Sequence, residues 1–274
     1  MHRNRIHVSP SIGLIVLSCD KYSDLWNPFF KLFFSNWPDC PYPIYLAANQ
    51  LRYDHPKVIT VLSGADRDWS SSIRKCIEQI CHDYLFFFLD DAFIISKVDS
   101  KSVEDVICNA ISEGINYLRF RPSPPPNVPY NNYYGIIGRD EEYRTSLFAS
   151  LWKREVLLRI LNDGETAWAF EIVGTERSRC LDGFFSTWKE HFTYLHIIEN
   201  GLYISKSIKV LRKMHINLDL SKRGLLKPWE ITLLGQSALI GKGVLDLLPK
   251  NKAEGIKKIA YRVLPRLKKF KKEI

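Results

Sequence analysis

Two adjacent carboxylates, Asp90 and Asp91, interrupt an apolar run in the segment YLFFFLDDAFIIS (84–96). Repulsion and desolvation push one of two neighbouring carboxylates toward protonation unless a cation is present. A divalent ion such as Mg²⁺ or Mn²⁺ resolves this, since it prefers oxygen ligands and completes its shell with phosphate oxygens. The pair therefore predicts a metal site that offsets negative charge on a departing nucleoside diphosphate.

A simpler interpretation of the same dipeptide is structural. Two aspartates can end a strand and cap the turn that follows it. Here the segment AFIIS (92–96) resumes as apolar sequence directly after the pair. Because the carboxylates interrupt buried structure instead of ending it, we favour the site over the turn.

The elements around this pair alternate between strands and helices. Short apolar runs predict buried strands, and apolar residues at helical spacing predict amphipathic helices. The strands are expected at 12–20, 42–49, 57–63, 84–89 and 115–120, and the helices at 24–37, 70–81 and 101–114. This rhythm predicts an α/β fold with an open, mostly parallel sheet that has helices on both faces. In such a sheet, ligands bind outside the carboxyl ends of the strands.

The later segments are less regular. The proline-rich stretch RPSPPPNVPYNN (121–132) predicts an extended surface loop that is neither helix nor strand. Residues 146–162 have strand and then helical character, residues 167–179 mix loop and helix, and residues 200–220 predict a strand with irregular segments.

Composition limits the class of protein. The chain has 274 residues with 46% hydrophobic residues, which suits a globular core. Since no window approaches the length of a spanning helix, we expect no transmembrane segment, and the apolar run near the start is interpreted as a first strand instead of a signal peptide. The six cysteines have no zinc-ligand spacing, which favours a reduced, cytoplasmic protein.

Positive charge is concentrated at the end of the chain. Between Lys250 and Ile274, ten Lys or Arg residues face two Glu residues, so this segment carries +8 of the formal charge of +9. Its apolar residues recur at helical spacing, which predicts a basic amphipathic helix on an anionic membrane surface; a solvated helix is the alternative. The near-neutral remainder has no recognisable nucleic-acid-binding motif. We predict a main domain at 1–235 and a membrane-associating helical tail at 236–274.

The chain resembles the bacterial glycosyltransferases of the A-type nucleotide-sugar fold, which is Rossmann-like, and particularly those that build lipopolysaccharide, O-antigen or capsule. The resemblance covers roughly residues 12–220. It rests on GLIVLSCDKYSDLW (13–26), WPDCPYPIYLAAN (37–49), DWSSSIRKCIEQI (68–80), YLFFFLDD (84–91) and LWKREVLLRILNDGETAWAFE (151–171). The family's Asp-x-Asp metal motif appears here as the variant Leu89-Asp90-Asp91.

The resemblance implies roles for several residues. The end of the first strand, with Ser18, Asp20 and Tyr22, would hold the nucleotide. Asp91 would bind Mn²⁺ or Mg²⁺, and Asp90 would lie near the ribose or sugar of a donor that we expect to be UDP-linked. By the same analogy, His215 is a candidate for a further metal contact, although a lone histidine is more often structural.

An inverting transferase also needs a general base for the acceptor hydroxyl. The segment ETAWAFE (165–171) offers two glutamates with Trp168 and Phe170 between them, and aromatic faces suit sugar rings. We predict Glu171 as the base and Asp182 as the second candidate. The alternative is an amphipathic segment with both aromatic residues in the core and its glutamates solvated.

The segment DRDWSSS (66–72) precedes a helix whose N-terminus favours anions. We predict that Asp68 and Trp69 line the donor site with Arg74 near the diphosphate; a helix cap with a buried tryptophan is the alternative.

The sequence thus predicts a hexosyltransferase that acts at the inner face of the cell membrane on a lipid-linked or polysaccharide acceptor. Two alternatives remain open: a non-catalytic, membrane-peripheral interaction protein on the same scaffold, and a metal-dependent phosphoesterase.

Overall fold

The computed structural model describes residues 10–226. The described residues divide into two compact units, and the boundary falls between Tyr194 and Leu195. The predicted basic tail at 236–274, and the predicted boundary that precedes it, lie outside the described residues. Within the described range, no helix combines the length and the hydropathy that crossing a bilayer requires.

The first unit alternates strands and helices, as the sequence predicts. A short 3-10 helix (Asp20–Tyr22) precedes the first α-helix. The helices are α1 (Ser23–Asn36), α2 (Trp69–Glu78), α3 (Ser100–Ser112), α4 (Arg154–Ile160) and α5 (Ala167–Ser178). The strands are β1 (Ile12–Leu17), β2 (Ile44–Ala48), β3 (Val58–Leu62), β4 (Tyr84–Leu89), β5 (Ala92–Ile94), β6 (Tyr117–Arg119), β7 (Val128–Pro129), β8 (Tyr134–Ile136), β9 (Ser150–Lys153) and β10 (Phe184–Thr187). A further strand, β11 (Tyr194–His196), spans the boundary between the units.

Nine strands form the main sheet of the described residues, in the order β3-β2-β1-β4-β9-β6-β10-β8-β7. The pairs from β3 to β4 are parallel, and so is the pair of β6 with β10. Strand β9 is antiparallel to both β4 and β6. The prediction of an α/β fold with an open, mostly parallel sheet is therefore confirmed.

Helices cover both faces of this sheet because its strands alternate their side chains between the faces. Ile15 and Phe87 pack with residues of α2, α4 and α5 in one core cluster. On the other face, Phe86 and Phe88 contact Trp37 at the end of α1, with ring centroids 6.3 and 6.2 Å apart. Since β4 is buried on both faces, its sequence is a continuous apolar run instead of an alternating one.

Two segments differ from the sequence prediction. The proline-rich stretch contains the strand β7, which lies at the outer edge of the sheet, where a proline disrupts no central ladder. Residues 205–213, expected to be irregular, form helix α6 (Ser205–Lys213) in the second unit. Helix α6 follows the strands β12 (Ile198–Glu199) and β13 (Leu202–Ile204), and β13 pairs with β14 (Leu225–Leu226).

Candidate functional site

Asp90 is fixed against the end of β1. The register pairs Leu17 with Leu89, so Ser18 and Asp90 leave neighbouring strands at the same edge of the sheet. The Ser18 hydroxyl donates to the Asp90 carboxylate and accepts a bond of 2.7 Å from the indole nitrogen of Trp26. Asp90 is only 6% exposed. The structure thus joins two residues that the sequence assigns to donor binding, 72 positions apart.

The thiol of Cys19 lies in the same region. Burial, followed by the negative charge of Asp90, raises the pKa of Cys19 to about 11. The thiol therefore stays protonated at neutral pH, which fits an inert side chain and not a nucleophile.

Glu171 of α5 is a half-buried carboxylate that is bonded to the loop before β9. Its Oε1 accepts bonds from the Leu147 backbone N–H at 2.8 Å and from the Ser146 hydroxyl at 3.2 Å. Burial raises the pKa of Glu171 despite these two bonds. The charge of Asp91 raises this pKa further, and the charge of Arg121 lowers it. Because Leu147 comes just before β9 and β9 is antiparallel to β4, the predicted base and the predicted metal ligand lie at the same edge of the sheet.

Arg121 is a further site residue that no motif in the sequence indicates, because it begins the proline-rich segment 121–132. It follows β6 at the carboxyl end of that strand, and its guanidinium lies 5.3 Å from the centre of the Tyr194 ring. Its Nε is 3.6 Å from Oε1 of Glu190. Arg121 thus brings a positive charge to a region that otherwise holds the carboxylates Asp91 and Glu171.

Two buried arginines anchor the segment between β6 and β9. The Arg119 guanidinium donates to the carbonyls of Pro124 and Tyr143. The Arg144 guanidinium donates to the Ser178 hydroxyl at 2.9 Å and to the Leu181 carbonyl at 2.9 Å. Burial first, and then the charge of Arg139, lowers the pKa of Arg144 to about 10. Arg144 therefore remains charged at neutral pH, and the two arginines together fix the long loop that carries Arg121 and Ser146.

Asp20 organises the loop that follows β2. Its carboxylate accepts bonds from the backbone N–H groups of residues 49–51 at 2.9 to 3.2 Å. Its own N–H donates to Oδ1 of Asn49 at 3.1 Å. Tyr22, the third predicted residue of this region, is the residue before α1. Asp20 therefore shapes the carboxyl edge of the sheet beside Ser18, and its role in nucleotide binding stays a prediction.

Asp68 is the N-cap of α2. A helix cap is the alternative that the sequence left open to a contact with the donor. Its Oδ1 accepts from the N–H of Ser71 at 2.8 Å, from the Ser70 hydroxyl at 2.9 Å and from the N–H of Gly164 at 3.0 Å. Trp69 packs on Phe170 of α5, with ring centroids 5.4 Å apart. These contacts hold the N-terminus of α2 against the loop before α5.

Arg74 contacts protein groups of α4 and of the connection between α4 and α5. It pairs with Asp163 at 3.1 Å and donates to the carbonyls of Leu158 and Leu161 at 3.1 and 2.8 Å. These bonds give Arg74 a structural role, and its predicted position near a diphosphate stays a prediction.

We expect Asp68→Ala to destabilise the protein by about 0.5–2 kcal/mol, the range for losing an N-cap. Burial opposes ionisation of Asp68, but the bonds from Ser71, Ser70 and Gly164 outweigh it and lower the pKa to about 2. A lowered pKa stabilises the fold at neutral pH, and this contribution is lost as the pH falls from about 4 through 2. Urea unfolding at pH 7 and pH 3 checks it: the difference between wild type and variant should shrink at pH 3. An equal difference at both values would contradict the cap assignment.

The structure does not bring Asp182 to Asp91. Asp182 precedes β10, whereas the carboxyl ends of β4 and β10 lie at the other edge of the sheet. Its side chain is 85% exposed and pairs with Arg139 at 2.6 Å. Glu171 is therefore the better supported candidate base.

His215 lies in the second unit, where it is exposed and follows α6 with a positive φ of 57°. Histidine tolerates this left-handed conformation better than most residues. The residue ends the helix, and its predicted metal contact stays a prediction.

Of the two aromatic residues before Glu171, one lies in the core and the other is open to solvent, so neither the sugar-binding nor the core interpretation holds for both. Phe170 is fully buried in the core, but Trp168 is 67% exposed. Glu165 is not solvated, since it forms a bidentate pair with Arg177 at 2.7 and 2.6 Å.

The residues at the carboxyl edge fit a divalent cation that arrives with a substrate phosphate. Across residues 10–226, no cluster of three or more Asp, Glu, His or Cys side chains is placed to hold a metal. Magnesium sites in such enzymes use one or two carboxylates and take their other ligands from water and phosphate. Asp91 supplies one such carboxylate, and the fixed Asp90 lies next to it.

Comparison with known proteins gives structural likeness at low identity. No family model and no curated protein matches the chain. The chain is similar to Staphylococcus aureus TarS 1–349 (12% identity, 77% of this chain and 66% of that chain, TM-score 0.47). It is also similar to the mannosyltransferase PcManGT of Pyrobaculum calidifontis in complex with GDP-Man and Mn²⁺ (11% identity, 71% and 59%, TM-score 0.44).

A third similar structure is a putative glucose-1-phosphate thymidylyltransferase of Bacillus anthracis (11% identity, 76% of this chain and 97% of that chain, TM-score 0.46). The aligned part thus spans less than two thirds of the first two proteins. All three TM-scores are below 0.5.

Proposed function

We propose that the protein is a glycosyltransferase that moves a hexosyl group from a nucleotide-sugar donor to a glycan acceptor. The observation that carries this proposal is geometric: the half-buried Glu171 is bonded to Ser146 and Leu147 just before β9, and this antiparallel strand begins at the edge of the sheet where Asp91 follows β4. This edge is where ligands bind in open α/β sheets. A metal-binding carboxylate and a base of raised pKa are the two groups that the transfer requires.

Each residue has a distinct task in the proposed reaction. Glu171 takes the proton of the acceptor hydroxyl on Oε2, since both of its described bonds end on Oε1. The deprotonated oxygen forms a bond to the anomeric carbon, and the bond from that carbon to the diphosphate breaks. A base in this position belongs to an inverting displacement. A Mg²⁺ or Mn²⁺ ion held by Asp91 would offset the charge on the leaving diphosphate.

The family resemblance in the sequence narrows the class of donor and the class of acceptor. We propose a UDP-linked donor and an acceptor that belongs to a lipid-linked glycan or a surface polysaccharide such as lipopolysaccharide, O-antigen or capsule. The basic segment at 250–274 supports attachment at the cytoplasmic face of the membrane, because anionic headgroups attract lysine and arginine.

A thermal-shift panel of UDP-, GDP-, CMP- and dTDP-sugars, each with and without Mn²⁺, tests the proposal. A donor at 100 times its Kd stabilises the folded state by about 2.7 kcal/mol, and each kcal/mol raises the Tm by about 2–4 °C for a domain of 150–250 residues. We expect one class of nucleotide sugar to give such a shift, larger with Mn²⁺, and to release intact nucleoside diphosphate on turnover.

Other outcomes of the same panel favour the alternatives. Release of inorganic phosphate would favour a phosphoesterase. The absence of any shift and of any turnover across the panel would favour a non-catalytic interaction protein.

A further inference from the structure

Trp188 is exposed and yet held in one position. It is 42% exposed, and its indole N–H donates to the Asn131 carbonyl at 2.8 Å. The ring lies directly on Gly135, where an added Cβ would be 2.6 Å from Cη2 of Trp188 and 2.9 Å from Cβ of Pro126. One side of the indole is therefore supported by the protein, while much of the rest is open to solvent.

This tryptophan lies at the same edge of the sheet as Asp91. Strand β10 is parallel to β6 and ends at Thr187, so Trp188 leaves the sheet at its carboxyl edge. Alternation along β10 gives Trp188 the face of Phe184, which belongs to the same core cluster as Phe170 of α5. Trp188 and Glu171 are thus associated with the same face and edge.

The surroundings of Trp188 combine aromatic and charged groups. Tyr133 is 40% exposed. Its carbonyl accepts a bond of 3.4 Å from the backbone N–H of Trp188. Two residues after Trp188, Glu190 pairs with Arg121, and Arg121 acts electrostatically on Glu171. The exposed Arg121–Glu190 pair therefore lies at the same edge of the sheet as Trp188, because Arg121 follows β6 and Glu190 follows the parallel strand β10.

We propose that Trp188 forms a platform for a sugar ring of an oligosaccharide acceptor, with the exposed Tyr133 as its neighbour on β8's side. This inference rests on the proposed function and names its acceptor class. The flat apolar face of the indole matches the C–H face of a pyranose, and the exposed Arg121–Glu190 pair at the same edge offers donors and acceptors to sugar hydroxyls. A purely apolar ligand such as an acyl chain would make no hydrogen bonds with the exposed Arg121 and Glu190, whereas sugar hydroxyls can.

The position of the platform also sets a minimum length for the acceptor. Three strand intervals separate β4, which carries Asp91, from β10, which carries Trp188. At about 4.8 Å for each interval, the distance across the sheet is about 14 Å. One sugar ring cannot span this distance, so the platform binds a unit of the acceptor that is not the one being modified.

The test compares Trp188→Ala and Trp188→Phe with Ile59→Ala as the control. Ile59 is similarly exposed at 52% but lies on β3, at the other end of the sheet. Saturation-transfer NMR with cellohexaose and chitohexaose measures glycan binding, and circular dichroism checks folding. Losing the stacked ring is expected to weaken binding of the hexasaccharide about tenfold in Trp188→Ala, whereas Trp188→Phe and Ile59→Ala should bind nearly as wild type.

The outcomes separate this inference from the proposed function. Folded Trp188→Ala that binds either hexasaccharide as tightly as wild type would overturn the platform, and so would a wild-type chain that binds neither. Donor-induced thermal shifts should be equal in wild type and Trp188→Ala, because the platform does not touch the donor. If wild type shows neither a donor shift nor turnover but loses glycan binding on Trp188→Ala, the transferase fails and the platform stands.

Discussion

Replacing Asp91 with asparagine is expected to lower the kcat/KM of sugar transfer by about 10²–10³-fold, the loss typical for removing one group that stabilises transition-state charge. Asparagine keeps the size of the side chain but removes the negative charge that attracts a divalent cation. The neighbouring Asp90 cannot replace it, because Asp90 is buried and bonded to Ser18. Initial rates with the best donor, measured across a series of Mn²⁺ concentrations, check this result.

The control for this prediction is Asp105→Asn on α3. Asp105 is 51% exposed and pairs only loosely with Lys101 at 3.9 Å, so its replacement should change neither rate nor metal dependence. Asp91→Asn should also lose the additional thermal shift that Mn²⁺ gives to the donor complex. If Asp91→Asn transfers sugar at the wild-type rate and with the wild-type Mn²⁺ dependence, Asp91 is not a metal ligand.

The central strands of the sheet could be predicted because burial on both faces leaves a pattern that is visible in the sequence. β1 and β4 are buried on both faces, so their sequences are uninterrupted apolar runs that are visible without any tertiary information. The strand β7 has no such signal, since two residues at an exposed edge need only backbone pairing with β8. Helix α6 has only a weak sequence signal, because its few apolar residues lie among lysines and serines.

Part of the candidate site could also be predicted from the sequence, and part could not. Ser18 and Asp90 each follow an apolar strand, and adjacent parallel strands end at the same edge, so their proximity follows from the fold class. The bonds of Glu171 to Ser146 and Leu147 depend instead on how α5 packs beside the loop before β9. Arg121 depends on the path of a proline-rich loop. Neither arrangement leaves a periodic signal in the sequence.

Replacing Glu171 with glutamine is expected to lower kcat by about 10²–10⁴-fold, the contribution typical of a general base. The carbonyl of glutamine can still accept the bonds from Leu147 and Ser146, so the fold and donor binding should persist. Because burial raises the pKa of Glu171, the acidic limb of the wild-type rate profile should lie above the ordinary glutamate value of about 4.3. Rates from pH 4 to 9 for both proteins check the loss and the position of this limb.

The raised pKa of Glu171 also makes stability depend on pH. A folded-state pKa above the unfolded value means that the native protein binds more protons, so stability falls as the pH rises through the folded pKa of Glu171. Glu171→Gln should remove this fall and unfold at equal or higher urea concentration at pH 7. The control Glu165→Gln breaks the pair with Arg177 and should lower stability while kcat is unchanged. A Glu171→Gln variant with wild-type kcat, or a rate loss in Glu165→Gln alone, would remove Glu171 from the reaction.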